Sequence, residues 1–136
     1  MIKRESSNMD TVEIPLIGSV SCGLPIYAEE NIEAKISISK KLVKNVSDYF
    51  LLRASGDSMN QKGITSGDLL LIKQKQTASH GDLVVALIDE DATVKEFIHN
   101  GDTIVLKPHS TNPKHQPIIL TTDFRIQGIV EKVIKI

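Results

Sequence analysis

Of the Gly-Asp pairs in this chain, three, Gly67-Asp68, Gly81-Asp82 and Gly101-Asp102, each open onto a short apolar run. Glycine accepts backbone angles that other residues resist, and aspartate bonds nearby main chain, so such pairs mark turns. The runs they introduce are residues 69–73, 83–88 and 103–107, and residues 49–54, 93–98, 118–120 and 126–136 have the same aliphatic, β-favouring character. Short strands at near-regular spacing indicate a mostly β protein, a single compact all-β domain with an extended N-terminal arm. None of the Gly-Asp pairs lies in a phosphate-binding spacing, so their glycines read as structural.

The 136 residues suit one domain, long enough to bury a core without disulfide or metal support. With three Phe, two Tyr and no Trp, that core must be built from Ile, Leu and Val. Residues 1–13 are polar and without periodicity. Residues 14–25 are apolar but broken by Pro15, Gly18, Gly23 and Pro25, which suits an extended segment and opposes a helix. Residues 26–48 are polar and charged, with a weak alternation at 32–38 and a helical turn near 40–46. The expected organisation is therefore an arm over 1–25, a linker with little core of its own over 26–48, and the β-rich domain over 49–136.

Charge and cysteine limit the function classes. A net charge of -1 gives no electrostatic footprint for direct, specific DNA binding. One cysteine, Cys22, forms no internal disulfide and is too few for a structural zinc site, so a reducing, cytoplasmic setting is expected, with no metal and no cofactor. No apolar run approaches membrane-spanning length, and the polar residues after Lys3 and Arg4 exclude a signal-peptide core.

Two residues could carry chemistry. Ser58 closes a Gly56-Asp57-Ser58-Met59 turn directly after an apolar strand, where a hydroxyl can project and backbone N–H groups can face an oxyanion. A turn serine bonded to its own backbone is the structural alternative. Lys95 lies in an alternating strand and shares a face with Thr93 and Phe97. If that face is buried, the ammonium is desolvated and its pKa falls; if Val94 and Glu96 face inward, Lys95 is an ordinary exposed lysine. The distinction matters, because an ordinary lysine is neutral in only about one molecule in a few thousand at pH 7. His80, His99, His109 and His115 show no metal-ligand spacing and read as solvent-facing structural residues.

Taken together, three separated elements resemble the LexA/UmuD family of self-cleaving proteins over roughly residues 14–136. They are Cys22-Gly23 within Gly18-Ser19-Val20-Ser21-Cys22-Gly23-Leu24-Pro25, the turn Ala54-Ser55-Gly56-Asp57-Ser58-Met59, and Thr93-Val94-Lys95-Glu96-Phe97. Ser58 and Lys95 are 37 residues apart, as the family pattern requires. The resemblance implies the family's β domain, with Ser58 as nucleophile, Lys95 as general base and Cys22–Gly23 as the bond cut. Cys22 then supplies the acyl carbonyl as a small apolar residue, and Gly23 has no side chain to obstruct close approach. It also implies a homodimer whose cleavage is stimulated by the RecA filament on single-stranded DNA, by favouring the docked segment.

Two functions compete within the family. A LexA-like repressor carries a helix-turn-helix domain ahead of its cleavage site, whereas a UmuD-like protein has a short arm and joins a Y-family translesion polymerase. Only 22 residues precede the Cys22–Gly23 bond here, too few for a helix-turn-helix module. The expectation is therefore a UmuD-like accessory of error-prone DNA synthesis. The alternative is the self-cleavage and dimerisation domain of a LexA-like repressor lacking its DNA-binding domain. A signal-peptidase-type enzyme shares the chemistry but needs a membrane segment that this sequence does not show.

Overall fold

The computed structural model describes residues 10–18, 26, 28–88, 91–120 and 125–135. Over these residues the chain is mostly β, a compact domain built on one sheet, as the turn spacing leads one to expect. Nine strands are present among the described residues: β1 (Thr11–Ile17), β2 (Ile32–Ser39), β3 (Tyr49–Arg53), β4 (Leu69–Gln74), β5 (Leu83–Ile88), β6 (Asp91–Asn100), β7 (Thr103–Lys107), β8 (Ile118–Leu120) and β9 (Arg125–Ile134). Their order in the sheet is β2-β1-β3-β4-β9-β5-β6-β7-β8. Every neighbouring pair is antiparallel except β1 and β3, which run parallel through Leu16 and Ile17.

The unbroken apolar runs of β3 and β4 arise because both faces of the sheet are covered there. Phe50, Leu52, Leu70 and Ile72 point into one cluster with Ile17, Ile26, Met59, Ile64 and Val85. Tyr49, Leu51, Leu69 and Leu71 point into the opposite one with Ile14, Leu16 and Ile38. A third cluster, formed by Val84, Ala86, Phe97, Leu106 and Ile126, lies under β5 to β7. Each fully buried Leu, Ile or Phe is worth about 1.5–3 kcal/mol relative to exposure.

The Gly-Asp turns work as their composition implies. Gly67 and Gly81 adopt φ of 98° and 95°. The aspartates beside them reach back three residues: Asp68 Oδ2 accepts from Thr65 N at 2.9 Å, and Asp82 Oδ2 accepts from Ser79 N at 2.8 Å. Asp68 is nearly enclosed and also takes Lys135 Nζ at 2.7 Å, tying the residue after β9 to the start of β4.

Strand β9 is bulged on both edges. Its pairing with β4 passes from Leu71↔Lys132 to Ile72↔Val130, skipping Glu131, and its pairing with β5 passes from Val85↔Gly128 to Ala86↔Ile126, skipping Gln127. Gly128 lies between these bulges with its backbone against β4. A Cβ there would stand 2.5 Å from both Ile72 Cγ2 and the Lys73 carbonyl oxygen.

Two stretches that the sequence pattern assigns to an arm and a linker carry strands. β1 falls within residues 1–25 and β2 within 26–48, and they pair along their length, from Thr11↔Ser39 to Ile17↔Ile32. β2 is an edge strand buried mainly at Ile38, so its outer face is polar and its apolar face small. Residues near 40–46 form short 3-10 turns, Lys40–Leu42 and Val46–Asp48. Among the described residues, no helix is long and apolar enough to cross a membrane.

Candidate active site

The serine turn grows out of the β3–β4 ladder. Ala54 N donates to Asp68 O at 2.8 Å and Gly67 N to Ala54 O at 2.9 Å, extending the ladder one step past Arg53. Gly56 then takes φ 81° and redirects the chain. A Cβ at Gly56 would meet nothing within 4 Å, so glycine serves the backbone angle here and not the packing. Met59 is driven into the core cluster beneath, and the 3-10 turn Asn60–Lys62 follows. Ser58 is therefore held between a left-handed glycine and a buried anchor.

Lys95 sits on β6 opposite Val84 of β5. The face it shares with Phe97 is the buried one, resolving the alternative that periodicity leaves open: Lys95 is 9% exposed and Phe97 7%. Its Nζ lies 3.1 Å from Ser58 Oγ and donates to the Val94 carbonyl, also at 3.1 Å. No carboxylate among the described residues pairs with it. Desolvation by burial holds its pKa below the ordinary lysine value, which favours the neutral amine. An amine that spends one N–H on Val94 can turn its lone pair toward the serine proton, the geometry a general base requires.

The outer edge of β6 is open beside this pair. β7 joins β6 only from Glu96 to Asn100, so residues 91–95 have β5 on one side and no strand on the other among the described residues. Phe97 exchanges backbone hydrogen bonds with the β5 side, through Asp82 O and Gly81 N. By antiparallel alternation, Ala92 and Val94 then present their N–H and C=O groups to the open edge. Residues 92–95 of that edge line a cleft of about 770 Å³ together with Ser58, Ile17, Gly18 and Leu52. An extended peptide could add there as a strand and bring a carbonyl to Ser58.

Cys22 and Gly23 lie outside the described residues. The residues flanking their segment are placed: Gly18 lines the cleft, and Ile26 is buried in the cluster that contains Met59 and Ile64. Of these two, only Gly18 shares the cleft with Ser58 and Lys95.

Two histidine–carboxylate contacts flank the pair. His115 Nε2 is 2.5 Å from Asp57 Oδ1, and Asn112 Nδ2 donates to Asp57 Oδ2 at 3.2 Å. His109 Nε2 is 2.6 Å from Glu96 Oε1. The hydrogen bond from each histidine is the main cause holding the Asp57 and Glu96 carboxyls below their usual range. His109 and His115 are thus part of the site's surroundings and not merely solvent-facing. Neither has a spacing signal, since each meets its partner only through the fold. No group of three or more His, Cys, Asp or Glu among the described residues is arranged to hold a metal.

The chain matches known proteins over most of its length. The family model described as Peptidase S24-like covers residues 15–131. The chain is 41% identical to a LexA repressor of Clostridium perfringens over 120 residues, 88% of this chain and 58% of that protein. It is 42% identical to the LexA repressor of Clostridium acetobutylicum over 120 residues, with the same coverages of 88% and 58%. With the LexA repressor of Acetivibrio thermocellus it shares 44% identity over 124 residues, 91% of this chain and 57% of that protein. The chain therefore spans under two thirds of the length of these curated relatives. By the family match and these identities, the chain belongs to the Peptidase S24-like family.

Proposed function

We propose that this domain cuts its own chain once, at Cys22–Gly23, with Ser58 as nucleophile and Lys95 as base and then acid. The observation that carries the reading is the 3.1 Å approach of a desolvated lysine to a turn serine. Ser58 Oγ attacks the Cys22 carbonyl carbon while neutral Lys95 takes the hydroxyl proton. The tetrahedral intermediate collapses as Lys95 returns that proton to the departing Gly23 amine, leaving an ester between Cys22 and Ser58. Lys95 then deprotonates a water that hydrolyses the ester. Because the segment belongs to the same chain and leaves from Gly18 in the cleft lining, its effective concentration is high and a modest site suffices.

The biological role that fits best is the self-cleavage and dimerisation part of a LexA-like repressor, stimulated by the RecA filament in the response to DNA damage. The relatives, each named a LexA repressor, support this over the polymerase-accessory role expected from the short arm. A Y-family polymerase partner draws no support from them. The homodimer and the RecA filament enter as partners of the repressor reading.

Purified protein is incubated at neutral and alkaline pH, with and without RecA filament on single-stranded DNA, and the products are weighed by mass spectrometry. A fragment beginning at Gly23, absent from Ser58→Ala, is the expected result. Wild-type protein that stays intact in every condition overturns the reading. A reading frame that continues upstream through a helix-turn-helix supports the repressor role, and an adjacent Y-family polymerase gene would restore the accessory one.

A further inference from the structure

We propose that His109 is a positioning residue: one backbone and one ring contact couple the Ser58 turn to the Lys95 strand and fix the spacing of the reacting pair. The proposal rests on the self-cleavage reading above and deepens it.

The need for such a device follows from the topology. Ser58 follows β3 and Lys95 lies on β6, and in the sheet these strands are separated by β4, β9 and β5. No ladder joins the two elements directly, so small changes of twist accumulate over the intervening strands. The segment after β7 supplies a shorter route. Lys107 makes the last β7 pair with β6, opposite Glu96. Two residues on, His109 N donates to Ser58 O at 2.9 Å, and Gln61 N donates to His109 O at 2.8 Å. The same residue's ring returns to β6 through Glu96 Oε1 at 2.6 Å. Glu96 is the immediate neighbour of Lys95.

The ring contact is well shielded, with the two side chains 19% and 18% exposed, so it is worth more than an open surface pair. The rest of the loop is fastened to the serine turn independently. Thr111 and Asn60 exchange reciprocal hydrogen bonds at 3.0 Å, and Asn112 and His115 both hold Asp57. Removing the His109 ring should therefore loosen the loop's side-chain tie to β6, leaving only the Lys107–Glu96 strand pair there, while the loop stays attached to the turn. Misplacement of a reacting group by about 1 Å can cost on the order of 100-fold in rate.

The test measures the first-order rate of self-cleavage at alkaline pH for wild type, His109→Ala, His109→Gln, Glu96→Ala and the double variant His109→Ala/Glu96→Ala, with melting temperatures for all five. His109→Ala is expected to cut about 10- to 100-fold more slowly. His109→Gln, which keeps a side-chain N–H donor, should recover most of that loss. The double variant should be no slower than either single, since all three break one contact. A purely structural role predicts a slowing that follows the melting temperature and that glutamine does not rescue; that result overturns the proposal. So does a His109→Ala protein that cuts at the wild-type rate. Wild type that fails to cut removes the self-cleavage reading itself, a result distinct from either.

Discussion

Lys95 Nζ stands 3.1 Å from Ser58 Oγ, although the residues are 37 apart in sequence and their strands are not neighbours in the sheet. The approach exists because the sheet closes over one shared cluster: Val85 of β5 and Val94 of β6 pack with Leu52, Met59 and Ile64 from the serine side. Aliphatic packing thus supports the pair from beneath, alongside the His109 contacts that tie its two elements.

The rate of self-cleavage should climb with pH and level off once Lys95 is neutral. Burial lowers the Lys95 pKa, so the half-maximal rate should fall below the ordinary lysine value of 10.5. A rate–pH series on the purified chain checks this. A midpoint at or above the ordinary value would mean that Lys95 is not the titrating base. Ser58→Ala and Lys95→Ala should both remain intact across the series.

Lys95 should also cost stability at neutral pH. Its folded-state pKa lies below the unfolded one, so between the two values the unfolded chain holds a proton that the folded chain lacks, and stability rises with pH through that window. Lys95→Met removes the buried amine and should melt at a higher temperature than wild type at pH 7. That advantage should shrink as pH approaches 10.5. Thermal melts at several pH values test it, and a lower-melting Lys95→Met would contradict the assignment of desolvation as the cause.

Gly128→Ala should destabilise the fold by about 1–3 kcal/mol, the usual cost of forcing a methyl into a filled site. The new Cβ would meet Ile72 Cγ2 and, less forgivingly, the Lys73 backbone. Urea unfolding reads the loss directly. An unchanged midpoint would show that the β4–β9 contact opens more easily than its spacing implies.

Ala92→Pro should slow self-cleavage while sparing the fold. Its side chain is exposed and its N–H faces the open edge of β6, so proline removes a donor for an incoming strand and leaves the β5 ladder intact. A slower rate with a near-wild-type melting curve is expected. An unaffected rate would argue that the cut segment does not pair along this edge.

Much of the fold was legible in the sequence where burial is two-sided. Residues 49–52, 69–72 and 83–88 are apolar runs because both faces of those strands are covered, and the Gly-Asp turns between them follow local rules. β1 and β2 were less legible. Pro15 interrupts the first, and the second is an edge strand that alternates but buries only Ile38, so its short apolar face is a weak strand signal. Within the site, Ser58 and Lys95 were readable as candidates from turn and strand context. Which face of β6 is buried depends on contacts from β5 and beyond, and alternation alone is symmetric between the two. The pairings of His109 with Glu96 and His115 with Asp57 had no sequence signal, since they span 13 and 58 residues and obey no period.

The place of β9 in the sheet has a consequence for the order of synthesis. β4 and β5 do not pair with each other; β9 lies between them and joins the half that carries Ser58 to the half that carries Lys95. Yet β9 is the last of the nine strands to leave the ribosome. On the self-cleavage reading proposed above, a nascent chain has Ser58, Lys95 and the Cys22–Gly23 bond well before it has the strand that joins their two halves of the sheet. On that reading the fold withholds the blade until β9 has been made through Ile134, so that assembly itself would be the safety catch.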